Sequence, residues 1–417
     1  MTSGKNITID LKNNLIVPDN PIIPFIKGDG IGEEIFEVMR NIVDEAVKKA
    51  YGNKRKIIWK EYFAGEKALE KYGNPLPDET VKAFKEYIVG IKGPIDTPES
   101  YPKNINIAFR QKLNLYTSIR PIIWYGQGSP VRSPELVDYI VFRENTDDIY
   151  VGIEFEENDN QTVRVVNFFR NKLNISKIDL PADSSVALKP ASKSKSKRHI
   201  RKAFQQALKL NRKHITIVHR GNILKKTENQ FVKWAYEVAK EPQFINYIIT
   251  EQDLIKNFDG NFEKAKEEGY KIVLKDRIIT KVLSHLVSRV EEYDVILAQN
   301  LNGDYFTHTA SGLIGGSAFV PVANVGDTKA VFETLHGTAR NLKGKNIANP
   351  TGMILAGVMM LEYINWKEAS NLIIKALKQT FADWIGTYDV IREWATAAIP
   401  GKKVSTDEFG IEIIKRL

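Results

Sequence analysis

Four arginines stand where a small ligand could reach them. Arg110, Arg120, Arg143 and Arg220 fall near predicted strand ends or turns. A guanidinium holds a carboxylate through two parallel hydrogen bonds and stays charged at any relevant pH. The set therefore suits a polyanionic small molecule, although any one of these arginines taken alone is more commonly a surface ion pair.

Other polar groups lie in predicted turns and loops. Asp304 follows an Asn-Gly pair and could ligate a hard cation such as Mg²⁺, or could simply cap the turn. The loop segments 336–338 and 349–350 could offer donors to a nucleotide, or could be ordinary turns. The chain has no cysteine, which excludes disulfides, thiolate nucleophiles and Cys-ligated zinc.

The elements that must position these groups alternate along the chain. Apolar runs predict strands over 22–27, 56–59, 87–91, 137–142, 215–219 and 295–299, and helical spacing of apolar residues predicts helices over 35–46, 79–86, 200–208 and 353–364. Such alternation predicts an α/β fold with a largely parallel sheet, in which ligands collect at carboxyl ends of strands. Short alternating pieces over 151–180 predict an inserted small β element. The glycines of 28–32 resemble a dinucleotide fingerprint with the wrong third spacing, so they predict a tight structural turn.

Length and hydropathy limit the possibilities further. The 417 residues are enough for roughly two to three cores of about 150 residues each. No apolar stretch approaches the roughly 18 to 20 residues that cross a bilayer, and the first residues lack the apolar core of a signal peptide. We therefore expect a cytoplasmic protein with no membrane partner.

The positive charge of the chain is concentrated in one segment. Residues 184–227, called here the basic segment, contain 13 of the 60 Lys and Arg and no acid, which leaves 47 bases against 51 acids elsewhere. Such a segment attracts anions, from small carboxylates to nucleic acid, or is a solvated basic face. Its residues 192–198 predict a basic first turn of a helix, where positive charge opposes the helix dipole.

An ordered series of motifs resembles one known family. The motifs are Pro21 to Pro24, Gly28 to Gly32, Ile91 to Pro94, Arg110, Arg143 to Asn145, Asp148 to Tyr150, Asn300 to Tyr305, Asn324 to Asp327, His336 to Ala339 and Asn349-Pro350. They are collinear with NADP-dependent isocitrate dehydrogenases, a family of β-decarboxylating dehydrogenases, from about residue 15 to the C-terminus. The resemblance implies the isocitrate/isopropylmalate dehydrogenase-like fold, with a large subdomain (1–115 and 315–417), a small subdomain (116–148 and 192–314) and a clasp (149–191). It also implies a homodimer whose active sites are shared between subunits.

The same resemblance implies a reaction and a set of roles. The reaction is the tricarboxylic acid cycle oxidation of isocitrate to oxalosuccinate, followed by loss of carbon dioxide and protonation of the enol to 2-oxoglutarate, with NADP and Mg²⁺ or Mn²⁺ as cofactors. Tyr150 would protonate the enol and Asp304 would ligate the metal. The substrate would be held by Asn104, Asn106, Arg110, Arg120 and Arg143. The nucleotide would be contacted by Thr97, Asn222, His336, Gly337, Thr338, Asn341, Asn349, Tyr388 and Arg392.

Several positions depart from the family pattern. Arg220 stands where the family has an acid/base lysine, and arginine, with a pKa above about 12, does not readily cycle a proton. Thr280 replaces a metal-binding aspartate that a neighbouring subunit would supply, His308 replaces a second aspartate, and Asn104 replaces a substrate-binding serine. Asp304 is then the remaining carboxylate of three, and magnesium binds poorly to imidazole.

The nucleotide preference is less sharply marked. Asn341-Leu342 replaces a Lys-Tyr pair of the NADP enzymes, whereas Tyr388 and Arg392 still suit the 2′-phosphate. We therefore expect NADP in preference to NAD.

Three functions remain open from the sequence. The chain could oxidise isocitrate or a related 2-hydroxy acid, including slowly or with a transition ion. It could instead be a catalytically disabled paralogue that binds a polycarboxylate or nucleotide as a regulatory or heteromeric subunit beside an active paralogue. Nucleic-acid binding by the basic segment is disfavoured, because the segment lacks interleaved aromatic residues.

Overall fold

The computed structural model describes residues 4–99, 101, 104–175, 183–391 and 401–417. The described helices are α1 (Gly32–Tyr51), α2 (Glu66–Tyr72), α3 (Asp78–Glu86), α4 (Ile105–Lys112), α5 (Asn160–Asn171), α6 (Lys193–Lys209), α7 (Glu228–Ala239), α8 (Glu251–Phe258), α9 (Phe262–Glu267), α10 (Ile279–Ser288), α11 (Asn300–Gly312), α12 (Thr351–Tyr363), α13 (Lys367–Ala382) and α14 (Thr406–Ile414). The described strands are β1 (Thr8–Ile9), β2 (Leu15–Ile16), β3 (Ile22–Ile26), β4 (Ile58–Glu61), β5 (Val89–Lys92), β6 (Thr117–Ile123), β7 (Asp138–Glu144), β8 (Glu154–Phe155), β9 (Val186–Ala187), β10 (His214–His219), β11 (Ile248–Thr250), β12 (Ile272–Ile278), β13 (Val295–Ala298), β14 (Pro321–Val325), β15 (Ala330–Thr334), β16 (Ile385–Gly386) and β17 (Lys402–Lys403).

Eleven strands form one sheet, which confirms the predicted α/β fold. Their order is β11-β12-β10-β13-β7-β6-β14-β15-β5-β3-β4. Strands β3, β4, β5 and β15 form one parallel block, and β7, β10, β11, β12 and β13 form another. Three antiparallel pairs, β15–β14, β14–β6 and β6–β7, separate the blocks. The two blocks therefore run in opposite directions, and their carboxyl ends do not share one edge as in a simple doubly wound sheet.

Helices with buried apolar sides cover both blocks. Helix α12 is buried on nearly all sides and packs with α1 and α13 over the first block, as its continuous apolar sequence predicts. Helices α6 and α7 pack on β7, β10 and β13 in a second cluster. Strands from the predicted large and small subdomains occupy opposite halves of the sheet, while the subdomain boundaries themselves stay a prediction.

The glycine turn before α1 is structural, as its spacing predicts. Gly28 (φ 88°) and Gly30 (φ 57°) are left-handed, and an added Cβ would lie 2.2 Å from the Pro94 carbonyl oxygen and 1.9 Å from that of Thr338. Only glycine fits so close an approach. Between them the buried Asp29 carboxylate accepts hydrogen bonds from the amides at 66 and 96, at 3.0 and 2.9 Å. The turn thus fixes two loops that lead into the cleft described below.

The predicted small β element over 151–180 is largely wrong. Two-residue strands β8 and β9 do pair, but helix α5 lies between them. Asp159 begins the helix, because its side chain accepts a hydrogen bond from the amide of Gln161 at 2.9 Å. Thr162 and Val166, four residues apart, form its buried side, so the alternating valines were a helical pattern. Residues 176–182 of the segment lie outside the described part.

The basic segment does not form a bare basic surface. Helix α6 begins at Lys193, which confirms the predicted basic first turn, and acids from elsewhere neutralise it. Asp147 accepts from the amide of Ser192 and from Lys195, while Glu237 pairs with two further lysines of the helix. At least six of its 13 bases pair with carboxylates outside the segment: Lys189, Lys193, Lys195, Lys197, Arg201 and Arg212. In the described part of the chain, no helix is long and apolar enough to cross a membrane.

Candidate functional site

A cleft with a cavity volume of about 230 Å³ opens where the two strand blocks meet. Its cations are Lys92 at the end of β5, Arg110 on α4, Arg120 on β6 and Arg143 on β7. Most of the predicted substrate residues are thus brought together. The other polar lining residues are Asn104, Asn106, Tyr150, Asp304, His308, Glu333, Thr334 and His336.

Strand register aims two of the arginines at one point. Ser118 on β6 lies opposite Arg143 on β7, and Arg120 lies opposite Val141, so both arginines project from the same sheet face. Arg120 Nε donates to Ser118 Oγ at 3.0 Å, and Arg143 Nε donates to the carbonyl and side-chain oxygens of Asn300, each at 2.9 Å. These bonds fix both guanidinium planes before any ligand arrives.

Asp304 lies between these two guanidiniums. The predicted Asn-Gly turn is wrong, because residues 300–304 form the first turn of α11. A Cβ at Gly303 would lie 2.9 Å from Arg143 Cγ, so glycine lets the helix pass close to that side chain. Asp304 Oδ1 accepts from Arg120 Nη1 at 3.0 Å and forms an ion pair with Arg143 Nη1 at 2.6 Å, and Oδ2 accepts from Tyr150 Oη at 2.7 Å. Burial alone would raise the pKa of Asp304, but the two guanidiniums outweigh it and hold the pKa below its usual range.

Tyr150 is held in place by its own turn. Asp148, whose φ is 70°, accepts from the amides of Ile149 and Leu301 at 2.8 and 3.0 Å and also pairs with Lys189. Burial and the charge of Asp304 raise the pKa of Tyr150 to about 12, although the charge of Arg143 acts in the opposite direction. The phenol therefore keeps its proton near neutral pH and can donate it.

A buried ion pair in the cleft was not predicted from the sequence. Lys92 Nζ pairs with Glu333 and donates to Asn106 Oδ1 at 3.0 Å. Glu333 also accepts from Asn324 Nδ2. Burial would raise the pKa of Glu333, but Lys92 and Arg110 lower it. A lysine and a glutamate near the ends of the buried strands β5 and β15 were the available signal, because charged residues are rarely buried unless paired.

Two buried guanidinium nitrogens in the cleft have no hydrogen-bond partner within the described residues. They are Nε of Arg110 and Nη2 of Arg143. Burial, helped by the charge of Arg143, lowers the pKa of Arg110, and similar forces lower that of Arg120 to about 9. Both side chains remain charged near neutral pH. Unpaired buried cation donors of this kind match the oxygens of a carboxylate ligand.

A second, less polar cleft adjoins the first and shares His336 and Gly337 with it. Its further lining includes two predicted nucleotide residues, Asn349 and Tyr388, along with Ile31, Ala318, Ala339, Leu342, Ala348 and Asp389. Burial lowers the pKa of His336, so its imidazole is neutral near pH 7. An apolar wall with a few fixed polar groups suits a flat aromatic ring.

Other predicted nucleotide residues lie around these clefts without lining them. Thr338 is buried and its hydroxyl donates to Asp96 at 2.6 Å, and Thr97 Oγ1 accepts from the amide of Ile105 at 3.0 Å. Asn341 is exposed beside the second cleft. Arg392 lies outside the described residues. Asn104 both lines the first cleft and caps α4, where its side chain accepts from the amide at 107 at 3.2 Å.

Three predicted site residues line neither cleft within the described residues of a single chain: Arg220, Asn222 and Thr280. Arg220 Nη1 instead donates to Thr280 Oγ1 at 3.0 Å. The predicted catalytic position Arg220 is therefore not assembled with Tyr150 in a single chain. The resemblance implies active sites shared between subunits, with position 280 supplied by the second copy.

The donor set does not fit a magnesium site. No group of three or more His, Cys, Asp or Glu residues that could hold a metal occurs in the described part of the chain. His308 Nε2 lies 3.9 Å from Asp304 Oδ1, but Asp304 is already engaged by two guanidiniums and a phenol. Magnesium requires near-octahedral oxygen ligation, which these residues do not offer.

Comparison with known proteins identifies the family. The model of the isocitrate/isopropylmalate dehydrogenase family matches residues 22–413. The isocitrate dehydrogenase [NADP] of Aquifex aeolicus is 45% identical over 416 residues, covering 99% of this chain and 95% of the relative. That of Archaeoglobus fulgidus is 42% identical over 417 residues, covering 100% and 97%. The crystal structure of isocitrate dehydrogenase from Methylococcus capsulatus superposes with a TM-score of 0.75 at 30% identity, covering 95% of this chain and 98% of the other. This chain therefore belongs to the isocitrate/isopropylmalate dehydrogenase family and has its fold.

Proposed function

We propose that this chain is an NADP-dependent dehydrogenase that oxidises isocitrate, or a closely related 2-hydroxy polycarboxylate, in the arginine-lined cleft. One observation carries the proposal: three arginines, of which Arg120 and Arg143 are buried, face a cleft that adjoins a less polar cleft through His336 and Gly337. Relatives named isocitrate dehydrogenase [NADP], 41–45% identical over nearly the full length, support it.

The cations account for substrate binding. Arg110, Arg120 and Arg143 can each donate hydrogen bonds to a carboxylate, and the buried Lys92, paired with Glu333, is a fourth cation in the same space. The site is largely buried, so each contact acts in a low dielectric and is stronger than on the surface. Rigid hydrogen bonds to Ser118 and Asn300 reduce the ordering that binding would otherwise require.

Tyr150 accounts for one proton step. Bound NADP would supply a hydride acceptor for oxidation of the carbinol carbon, and loss of carbon dioxide would then leave an enol. Tyr150 keeps its proton near neutral pH because its pKa is about 12, and its hydroxyl already lies in the cleft. A phenol so placed can protonate the enol carbon. Arg220 does not readily exchange a proton, so it serves as a fixed charge.

We propose that the functional unit is a homodimer formed through the clasp. The described clasp exposes large apolar side chains in one stretch of chain: Ile153, Val163, Phe168, Leu173, Ile175 and Leu188. Exposed apolar residues at this density commonly mark an interface. A second copy would bring Arg220 and Thr280 to the cleft, which a single chain does not.

A coupled kinetic and binding assay tests the proposal. Reduction of NADP and NAD is followed with isocitrate, with and without Mg²⁺ or Mn²⁺, and isocitrate binding is measured by calorimetry. Turnover near a typical value of about 10 s⁻¹, with NADP preferred, would support it. Binding without turnover would favour the disabled paralogue, to which the comparisons give no support. Absence of binding would overturn the proposal.

A further inference from the structure

We propose that this cleft binds its polycarboxylate without a divalent cation, because the charge that a cation would supply is already built into the protein. The inference rests on the proposed function in one respect, since it takes isocitrate as the ligand. It concerns four observations: the charge of the cleft, the partners of Asp304, the position of His308 and the pairing of Arg220 with Thr280.

The fixed charge of the cleft is positive without a metal. Four cations line it, namely Lys92 and the three arginines, against two carboxylates, Asp304 and Glu333. The sum is +2 before any histidine is counted. A carboxylate-lined site needs a divalent ion to attract a polycarboxylate, whereas this one attracts it directly.

Asp304 is already engaged by three neighbouring groups. Oδ1 accepts from Arg120 and lies 2.6 Å from Arg143 Nη1, and Oδ2 accepts from Tyr150. A cation bound to this carboxylate would compete with those groups and would lie beside Arg120 and Arg143, whose charges repel it. The carboxylate thus fixes the two arginines and leaves their outer N–H groups for the ligand.

The two other positions that would complete a metal site carry no carboxylate. His308 lies one helical turn after Asp304 and presents an imidazole nitrogen, which magnesium disfavours. Thr280 is hydrogen-bonded to Arg220, so a second copy that brought Thr280 to the cleft would bring a guanidinium with it. This pair would therefore add a positive charge to the cleft and no carboxylate.

The charge change at positions 280 and 308 equals the charge of the divalent ion that it would replace. The resemblance places aspartates at 280 and 308, and replacing two carboxylates by neutral groups changes the local charge by the same +2 that a divalent ion carries. The substrate would then meet a similar net charge in either arrangement. This equivalence explains how the substrate-binding arginines can be retained while the metal ligands are not.

Calorimetric titration of isocitrate into the full chain tests the inference. We expect the Kd in EDTA and the Kd in Mg²⁺ to agree within twofold, and we expect Mn²⁺ to stay free in the electron paramagnetic resonance spectrum with isocitrate present. Tightening by tenfold or more on addition of Mg²⁺, or capture of Mn²⁺ in the ternary mixture, would overturn the inference while leaving the proposed function standing. Absence of binding in both buffers would overturn both.

Restoring carboxylates should restore metal dependence. In the double variant His308→Asp with Thr280→Asp, we expect isocitrate to bind at least tenfold more weakly in EDTA than in Mg²⁺. Thr309→Asp is the control for the charge added at position 308, since it adds one negative charge on the same helix at an exposed position outside the cleft lining. The control should behave as the parent chain does. If the double variant folds, as judged by circular dichroism, and its isocitrate affinity is the same with and without Mg²⁺, the charge argument is wrong. If the double variant does not fold, the comparison of the two buffers on the parent chain still tests the inference.

Discussion

Replacing Asp304 by asparagine should destabilise the free protein and tighten ligand binding at the same time. The side chains of Arg120 and Arg143 are 5% and 3% exposed, and that of Asp304 is 22% exposed. At an effective dielectric of about 20 and a charge separation of about 4 Å, each Arg–Asp pair is worth roughly 4 kcal/mol before desolvation. Breaking a buried pair while leaving its cations unpaired costs about 3 to 5 kcal/mol. We therefore expect Asp304→Asn to lower the free energy of unfolding by about that amount.

The same substitution should strengthen the binding of the anionic ligand. Removing one negative charge raises the cleft from +2 to +3, and the freed guanidiniums gain N–H donors for carboxylates. A gain of about 1.4 kcal/mol corresponds to tenfold in Kd, and we expect isocitrate to bind at least about tenfold more tightly. Saturating isocitrate should then recover most of the lost stability by linkage.

Denaturant unfolding with and without isocitrate, together with calorimetry, measures both effects. The matched control is Asp19→Asn, which removes one partner of an exposed pair with Arg55 and should leave the unfolding midpoint unchanged.

The stabilisation contributed by Asp304 should also depend on pH in a defined direction. Because the pKa of Asp304 is depressed in the folded chain, its stabilisation is present above the unfolded-state pKa near about 4 and is lost as the pH falls through the folded value. The reasoning would be refuted if the difference in free energy of unfolding between parent and variant persisted at the lowest pH. It would also be refuted if the variant were as stable as the parent and bound isocitrate more weakly.

Three further predictions follow from the same geometry. Tyr150→Phe should lower kcat by about 10² to 10⁴ while isocitrate affinity changes little, because it removes a proton donor and leaves the arginines; equal losses in kcat and affinity, measured by kinetics and calorimetry, would speak against the donor role. Lys92→Met should lower the free energy of unfolding by about 3 to 5 kcal/mol, and adding Glu333→Gln should restore more than half of the loss in a denaturant titration; no recovery would show that the buried pair is not the cause. Phe168→Asp in the clasp should convert the proposed dimer to a monomer with little turnover, by light scattering and activity, whereas Leu11→Asp at a fully exposed site should not. A monomer with full turnover would contradict shared active sites.

Local apolar patterns were enough to predict most of the framework. The strands at 215–219 and 295–299 and the buried helix α12 follow from runs of residues that interact with near neighbours in sequence. The segment with α5 failed because three closely spaced valines fit a short strand and a helix equally well. What separates them is the cap at Asp159 and the burial of one side, and burial depends on the rest of the fold.

The residue types of the site could be predicted from the sequence, but the contacts between those residues could not. The residue types and positions of Arg110, Arg120 and Arg143 indicated an anion site from the sequence alone. That Asp304 lies between Arg120 and Arg143 could not be read from the sequence, because those residues are well over 100 positions away and their contact depends on the meeting of two strand blocks. The basic segment shows the same limit, since its ion-pair partners are supplied by distant acids.

The substitutions at Arg220, Thr280 and His308 are best understood as one change in electrostatics. A threonine at 280 accepts one hydrogen bond from Arg220 and leaves its charge intact, whereas an aspartate there would neutralise it. In the proposed dimer Arg220 then acts as a fourth guanidinium that holds a carboxylate at every pH and exchanges no proton. Proton delivery to the enol among the described groups of the cleft then falls to Tyr150. The cleft is accordingly built first to bind an anion, with Tyr150 as its proton donor.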